Sequence, residues 1–66
     1  MENEIIAGLY KVFLTKRVLM NVKKSGKRYD VTLHDLTNNT YAGISAYFND
    51  VLEYLQRKLS LVASRV

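Results

Sequence analysis

The sequence predicts an α+β domain: a helix, a three-stranded antiparallel β-meander, and a long C-terminal helix packed on one sheet face. Three observations predict this fold. Apolar residues recur every three or four positions near the end of the chain, two middle segments alternate apolar and polar residues, and turn-forming residues separate those segments. With 66 residues, the chain has room for one small domain, so we expect residues 1–66 to fold as a unit.

The N-terminal segment, residues 2–16, fits two structures. Ile6, Leu9 and Phe13 would share one face of a helix, with acidic residues near its start and basic residues at its end, as the helix dipole favours. A strand stays open as an alternative, because Gly8 interrupts the segment and apolar residues also stand at alternate positions: Ile6, Tyr10, Val12 and Leu14. We favour the helix.

The middle of the chain predicts a β-hairpin. Apolar residues alternate with polar ones in two runs, at Val18, Met20 and Val22 and at Tyr29, Val31 and Leu33. A two-residue turn at Ser25-Gly26 would place apolar residues opposite apolar residues. It would also set Lys24 against Lys27 and Lys23 against Arg28, which is unfavourable unless an anion such as a phosphate binds between them.

A second turn is expected at Asn38-Asn39, because Asn tolerates left-handed backbone geometry. This turn would place Leu33 opposite Ile44 and Asp35 opposite Ala42. The third strand would then lead directly into the last helix.

The C-terminal helix is expected to run from Ser45, as its N-cap, to about Ser64. Its core face would carry residues spaced three or four apart: Phe48, Leu52, Leu55, Leu59, Val62 and Val66. A second apolar stripe lies beside it: Tyr47, Val51, Tyr54 and Leu61. Because this apolar surface is wider than contact with one sheet needs, we expect a homodimer formed through the C-terminal helix.

Charge is unevenly distributed along the chain. The formal net charge is +4, with ten Lys and Arg residues against six Asp and Glu residues. Every charged residue between Ile5 and Tyr29 is a cation: Lys11, Lys16, Arg17, Lys23, Lys24, Lys27 and Arg28. This asymmetry favours a polyanionic partner, and a solvated basic face is the alternative.

Composition also excludes several classes of function. The chain has no Cys and one His, His34, with no Ser or Cys nucleophile at a recognisable spacing, so we expect no disulfide, metal, cofactor or enzymatic activity. The acidic N-terminus argues against a secretory signal, and the longest uncharged stretch, residues 36–49, is too polar to span a bilayer. We therefore expect a cytoplasmic protein without a membrane partner.

These observations favour a small nucleic-acid-binding protein, acting as a regulator or accessory factor. A basic hairpin tip would hold phosphates, and the uncovered sheet face would meet the bases. The expected contact residues are Arg17, Asn21, Lys23, Lys24, Lys27, Arg28, Thr32 and Tyr41. The alternative is a protein-interaction module, an inhibitor or adaptor, that docks through its sheet face or the second helix stripe. Under these two hypotheses the partner is DNA, RNA or a protein.

Overall fold

The computed structural model of the protein describes residues 2–64. Its elements are α1 (Glu2–Thr15), β1 (Val18–Ser25), β2 (Arg28–Asp35), β3 (Thr40–Tyr47) and α2 (Phe48–Ala63). The strands form one antiparallel sheet in the order β1-β2-β3; α1 packs on β1, and α2 packs on β2 and β3. The predicted α+β fold is confirmed, and the N-terminal segment is a helix rather than a strand.

The core lies between the two helices and one face of the sheet. Phe13 of α1 and Val51 and Leu55 of α2 are completely buried. The strands contribute buried residues at alternate positions: Val18, Met20, Tyr29, Val31 and Leu33. Because alternate strand residues point to one side, both helices cover the same face, called here the helix-covered face. The opposite side is the open face.

The turn between β1 and β2 differs from the predicted one. Gly26 and Lys27 form it, and Ser25 pairs with Arg28. Gly26 has a φ of 61° and stands first in the turn, the place where a type II′ turn requires glycine. The predicted Ser25-Gly26 turn is therefore wrong by one position.

This change in the turn moves the β1–β2 pairing by two residues. Lys23 lies opposite Asp30 and Lys24 lies opposite Tyr29, so the predicted opposition of like charges at the hairpin tip is wrong. Since side chains alternate with a period of two, the same residues still occupy each face. The lysines at the tip therefore need no anion to offset a mutual repulsion.

The connection between β2 and β3 is a four-residue loop, residues 36–39, rather than a two-residue turn. The carboxylate of Asp35 accepts hydrogen bonds from the backbone N–H groups of Thr37 and Asn38, at 3.0 and 3.3 Å. Asn39 adopts a φ of 55°. The Asp35 side chain thus stabilises the longer loop, and the β2–β3 pairing also moves by two residues from the predicted one.

Helix α2 begins at Phe48, and the predicted N-cap, Ser45, lies within β3 instead. Strand β3 continues to Tyr47, which pairs with Arg28 at the far end of β2. Tyr47 occupies the N-cap position in an extended conformation and makes no side-chain capping hydrogen bond. Pairing with β2 therefore overrides the capping preference of serine.

The core face of α2 is rotated relative to the predicted one. Val51, assigned to the second stripe, is fully buried, and Tyr54 of that stripe also packs against the core. Leu52, assigned to the core face, stays partly exposed, and Leu61 is 65% exposed. Val66 lies outside the described residues. The second stripe is thus partly used by the chain's own core, and a homodimer through α2 stays a prediction.

Candidate nucleic-acid interface

The open face presents its side chains in rows that cross the three strands. From the hairpin tip towards loop 36–39, the rows are Ser25–Arg28–Tyr47, Lys23–Asp30–Ser45, Asn21–Thr32–Gly43 and Leu19–His34–Tyr41. Aromatic rings of β3 stand in the two outer rows, whereas the Asn21 row ends on glycine. The open face is therefore low in its middle and raised at both ends.

One raised end is a stack of two rings. The His34 and Tyr41 rings lie 4.1 Å apart between centroids and 11° from parallel. His34 Nε2 lies 3.1 Å from the side-chain oxygen of Asn39, which helps to fix the imidazole. Tyr41 is 68% exposed, so its other surface is open to solvent. A planar, exposed ring held by a neighbour is the kind of surface on which unpaired bases stack.

The other raised end joins a cation to a ring. The Arg28 guanidinium carbon lies 5.4 Å from the centroid of the Tyr47 ring, and Arg28 Nη2 donates a 2.7 Å hydrogen bond to the Ser45 carbonyl oxygen. Tyr47 is 58% exposed. Tyr47 stands six positions after Tyr41 on the extended strand, which is a distance of roughly 20 Å. The two aromatic positions thus bracket the low middle of the face.

Tyr10 of α1 reaches the edge of this face. It helps to line a groove of about 410 Å³ together with residues of all three strands: Leu19, Met20, Asn21, Thr32, His34 and Tyr41. Sequence reasoning did not assign Tyr10 to the site, because only the packing of α1 on β1 brings it there. Tyr47 was missed for another reason: its place in the alternation Tyr41-Gly43-Ser45-Tyr47 was the signal, but it was assigned to the helix.

A second, basic cavity lies beyond the hairpin tip, on the side of the helices. It has a volume of about 540 Å³ and is lined by Glu2, Lys24, Gly26, Lys27, Tyr29, Tyr47, Phe48 and Asn49. The Lys24 ammonium lies 5.5 Å from the centroid of the Tyr29 ring. Both helices also begin at this end of the molecule, and helix N-termini carry a partial positive charge. Lys24, Lys27 and these partial charges lie near the carboxylates of the first helical turns, Glu2 and Glu4 in α1 and Asp50 in α2.

Tyr29 connects the core to the wall of this cavity. Its hydroxyl donates a hydrogen bond to the Glu2 carboxylate. The pKa of the Tyr29 phenol is raised, first by this hydrogen bond, then by burial and by the negative charge of Glu2; Lys24 acts weakly in the opposite direction. The protonated phenol, which donates to Glu2, is therefore retained to a higher pH than in a free tyrosine.

The structure brings most of the predicted contact residues together, but not all. Five of them lie on the open face: Asn21, Lys23, Arg28, Thr32 and Tyr41. Lys27 lies in the turn, and Lys24 points to the helix-covered side. Arg17 lies between α1 and β1, at the end of β1 away from the tip, with a φ of 61°. Arg17 is thus separated from the tip cations by the length of β1.

Comparison with protein-family models, with curated proteins and with solved structures finds no match for this chain. Within residues 2–64, no group of three or more His, Asp or Glu side chains is placed to hold a metal ion. Neither of the helices described over that range is long and apolar enough to cross a membrane. The geometry and charge of the open face and the hairpin tip are therefore the features that bear on function.

Proposed function

We propose that this protein binds single-stranded nucleic acid on the open face of its sheet, as a non-enzymatic binding protein. The observation that carries the proposal is the exposed stack of His34 and Tyr41, with Tyr47 roughly 20 Å away at the other end of β3. Every base has a flat π-surface, and aromatic residues on small sheets stack two or three bases of a single strand. The low middle of the open face leaves room for the nucleic-acid strand between the rings of Tyr41 and Tyr47.

Polar groups in the middle of the face supply contacts to base edges in this proposal. Asn21 and Thr32 lie opposite each other on β1 and β2, and both are exposed. Their amide and hydroxyl groups donate and accept hydrogen bonds, which suits the exposed Watson–Crick edges of unpaired bases. Gly43 next to Thr32 leaves these groups accessible. Any base preference would therefore arise from Asn21 and Thr32.

Cations near the hairpin tip supply the contacts to phosphates. Arg28 lies in the outer row, Lys27 in the turn, and Lys24 on the wall of the basic cavity. Lys23 faces Asp30, so the second row is close to neutral. We therefore expect the sugar-phosphate backbone of the bound nucleic acid to lie near the hairpin tip, and its bases to extend over the open face towards Tyr41. Phosphate contacts fix position and supply affinity without base preference.

The first test is a fluorescence-anisotropy titration with labelled single-stranded RNA, single-stranded DNA and duplexes of equal length, at about 50 and 200 mM salt. We expect saturable binding that is tighter for single strands. Three or four phosphate contacts to a single strand would weaken binding by roughly 20- to 50-fold between these salt concentrations. Tighter binding to duplexes than to single strands, or no binding at the lower salt, would contradict the proposal.

Variants at the two ends of the face separate stacking from charge. Tyr41→Ala should weaken binding roughly 5- to 150-fold, because one stacked base contributes roughly 1–3 kcal/mol. Leu61→Ala is its control, since Leu61 is an equally exposed apolar residue on α2.

For charge, Lys24→Glu with Lys27→Glu should abolish binding. Its control, Lys11→Glu with Arg57→Glu, changes the net charge equally on exposed helix positions. Equal losses in both charge variants would reduce the interaction to non-specific attraction.

A protein-interaction module is the second candidate, and one observation favours it. Leu19, Leu36 and Tyr41 lie towards the same end of the sheet and remain 39%, 46% and 68% exposed, and exposed apolar patches mark protein interaction sites. Under this hypothesis the open face docks on a protein, and reversing the tip charges has little effect. The same titration distinguishes the two candidates, because this one predicts no saturable binding to any oligonucleotide.

A further inference from the structure

Strand β3 is an edge strand with little protection of its own. It lies at one side of the sheet, and its eight residues, Thr40–Tyr47, include no charged residue and no proline. Exposed edges present unpaired backbone groups, and proteins usually protect them with charges, proline or bulges. The opposite edge, β1, carries Lys23 and Lys24 and has Tyr10 of α1 near it. The two edges of the sheet therefore differ in their readiness to pair.

The ladder indicates which backbone groups of β3 face the free edge of the sheet. Ser25 and Arg28 flank a two-residue turn, so these two residues exchange backbone hydrogen bonds. At the other end of the β1–β2 ladder the Leu36 N–H donates to the Arg17 carbonyl at 3.0 Å, which fits the same alternation. Since bonding alternates along a strand, the even-numbered residues of β2 bond to β1 and its odd-numbered residues bond to β3. The β3 partners of those odd-numbered residues are even-numbered, so the even-numbered residues of β3 bond to β2. The odd-numbered residues then direct their N–H and C=O groups to the free edge: Tyr41, Gly43, Ser45 and Tyr47.

We propose that this edge pairs with β3 of a second copy of the chain, antiparallel and with Ile44 on the two-fold axis. In this register Tyr41 lies opposite Tyr47 of the second copy, and Gly43 lies opposite its Ser45. All four outward-facing residues of each copy then find partners, giving up to about eight hydrogen bonds between the subunits. The edge is therefore complementary to itself.

Side chains and charge favour the same arrangement. Aromatic residues meet aromatic residues, Ala42 meets Ala46 of the second copy, and Ile44 meets its own counterpart. Antiparallel pairing places the two basic hairpin tips at opposite ends of the combined sheet, which limits repulsion between chains of net charge +4. A parallel arrangement would bring the tips side by side.

The contact between Arg28 and the Ser45 carbonyl is compatible with this pairing. Ser45 directs its carbonyl to the free edge, and Arg28 Nη2 donates to it at 2.7 Å. A carbonyl oxygen has two lone pairs, so it also accepts the N–H of Gly43 from the second copy.

The combined sheet has six strands with all helices on one side, and its open face joins the His34–Tyr41 stack to Tyr47 of the second copy. The pairing itself does not depend on the proposed function.

The oligomeric state provides the first test. Sedimentation equilibrium at about 10 to 300 μM should give a mass of twice 7.6 kDa. Ser45→Pro removes one free-edge N–H and no bond to β2, so it should give a monomer with a native circular dichroism spectrum. Ser45→Ala keeps the N–H and should remain a dimer. A monomeric wild type throughout this range, or a dimeric Ser45→Pro variant, would overturn the proposal.

A second test examines the register and needs no proline. The register places Tyr41 about 5.5 Å from Tyr47 of the second copy between Cα atoms, a distance that suits a disulfide. The natural chain has no Cys. The double variant Tyr41→Cys, Tyr47→Cys, oxidised with glutathione disulfide, should form a covalent dimer: each pair of thiols loses two electrons and two protons, and glutathione disulfide is reduced to two glutathione molecules. Each single variant should stay uncrosslinked, because equivalent positions lie far apart. Equal cross-linking in single and double variants would disprove this register.

Discussion

The helix-covered face and the open face draw on the same strands but use their side chains differently. On the helix-covered face, Phe13, Val51 and Leu55 have lost all their exposure, and burial of such a side chain stabilises the fold by roughly 1.5–3 kcal/mol. On the open face, Tyr41 and Tyr47 keep most of theirs. Their large rings therefore add little to the stability of the fold. Aromatic residues therefore have opposite roles on the two faces.

The largest expected difference between the faces concerns stability. Phe13→Ala should lower the free energy of unfolding by roughly 3–5 kcal/mol, because it leaves a cavity in a fully buried position. Small domains have only about 5–15 kcal/mol in total. Tyr41→Ala should change stability by no more than about 1 kcal/mol. Urea denaturation followed by circular dichroism measures both, and equal losses would remove the distinction between the faces.

Gly43 is expected to be an exception on the open face, where other substitutions should change stability little. A Cβ atom at this position would lie 2.6 Å from the Val31 carbonyl oxygen, a backbone atom that cannot move without disturbing the β2–β3 ladder. Gly43→Ala should therefore destabilise the protein by roughly 1–3 kcal/mol, the usual range for overpacking. Ser45→Ala, on the same strand and face, is the control and should stay within about 0.5 kcal/mol. Identical denaturation midpoints for the two variants would contradict this account.

A smaller effect is expected at alkaline pH, from Tyr29 on the helix-covered face. The folded-state pKa of its phenol is raised above 10.0, chiefly by the hydrogen bond to Glu2. The protonated phenol is thus favoured by folding, so its contribution is fully present below pH 10 and is lost as the pH rises through the folded-state pKa. Denaturation midpoints between about pH 8 and 11 should fall more steeply for the wild type than for Tyr29→Phe. Parallel curves would show that the bond to Glu2 has no such effect.

The sequence predicted the faces of the sheet better than the pairing of its strands. Alternation assigns Val31 and Thr32 to opposite faces, and a register shift of two residues leaves that assignment intact. The register depends instead on where Gly26 stands in its turn, and both placements keep the alternating apolar residues on one face. At the second connection, the Asp35 carboxylate stabilises a longer loop. Local hydrogen bonds of this kind are not visible in hydrophobic periodicity.

The candidate interface was predictable to a similar degree. Asn21, Thr32 and Tyr41 were placed on the open face by alternation alone, and the structure has them there. Tyr47 was not, because Ser45 resembled a helix N-cap and the extension of β3 depends on pairing with β2. Tyr10 could not be assigned to the interface from the sequence, since its position depends on how α1 packs on β1.

The central claim, that the open face is the surface that binds a single nucleic-acid strand, is tested most directly by an NMR amide map. ¹H–¹⁵N spectra of the full chain would be recorded as an unlabelled single-stranded oligonucleotide is added at about 50 mM salt. We expect the largest shifts at Asn21, Thr32 and Tyr41 and at the Gly26-Lys27 turn, with little change at Lys11 and Arg57 on the helices. Shifts confined to the helices, or an unchanged spectrum at saturating oligonucleotide, would contradict the account.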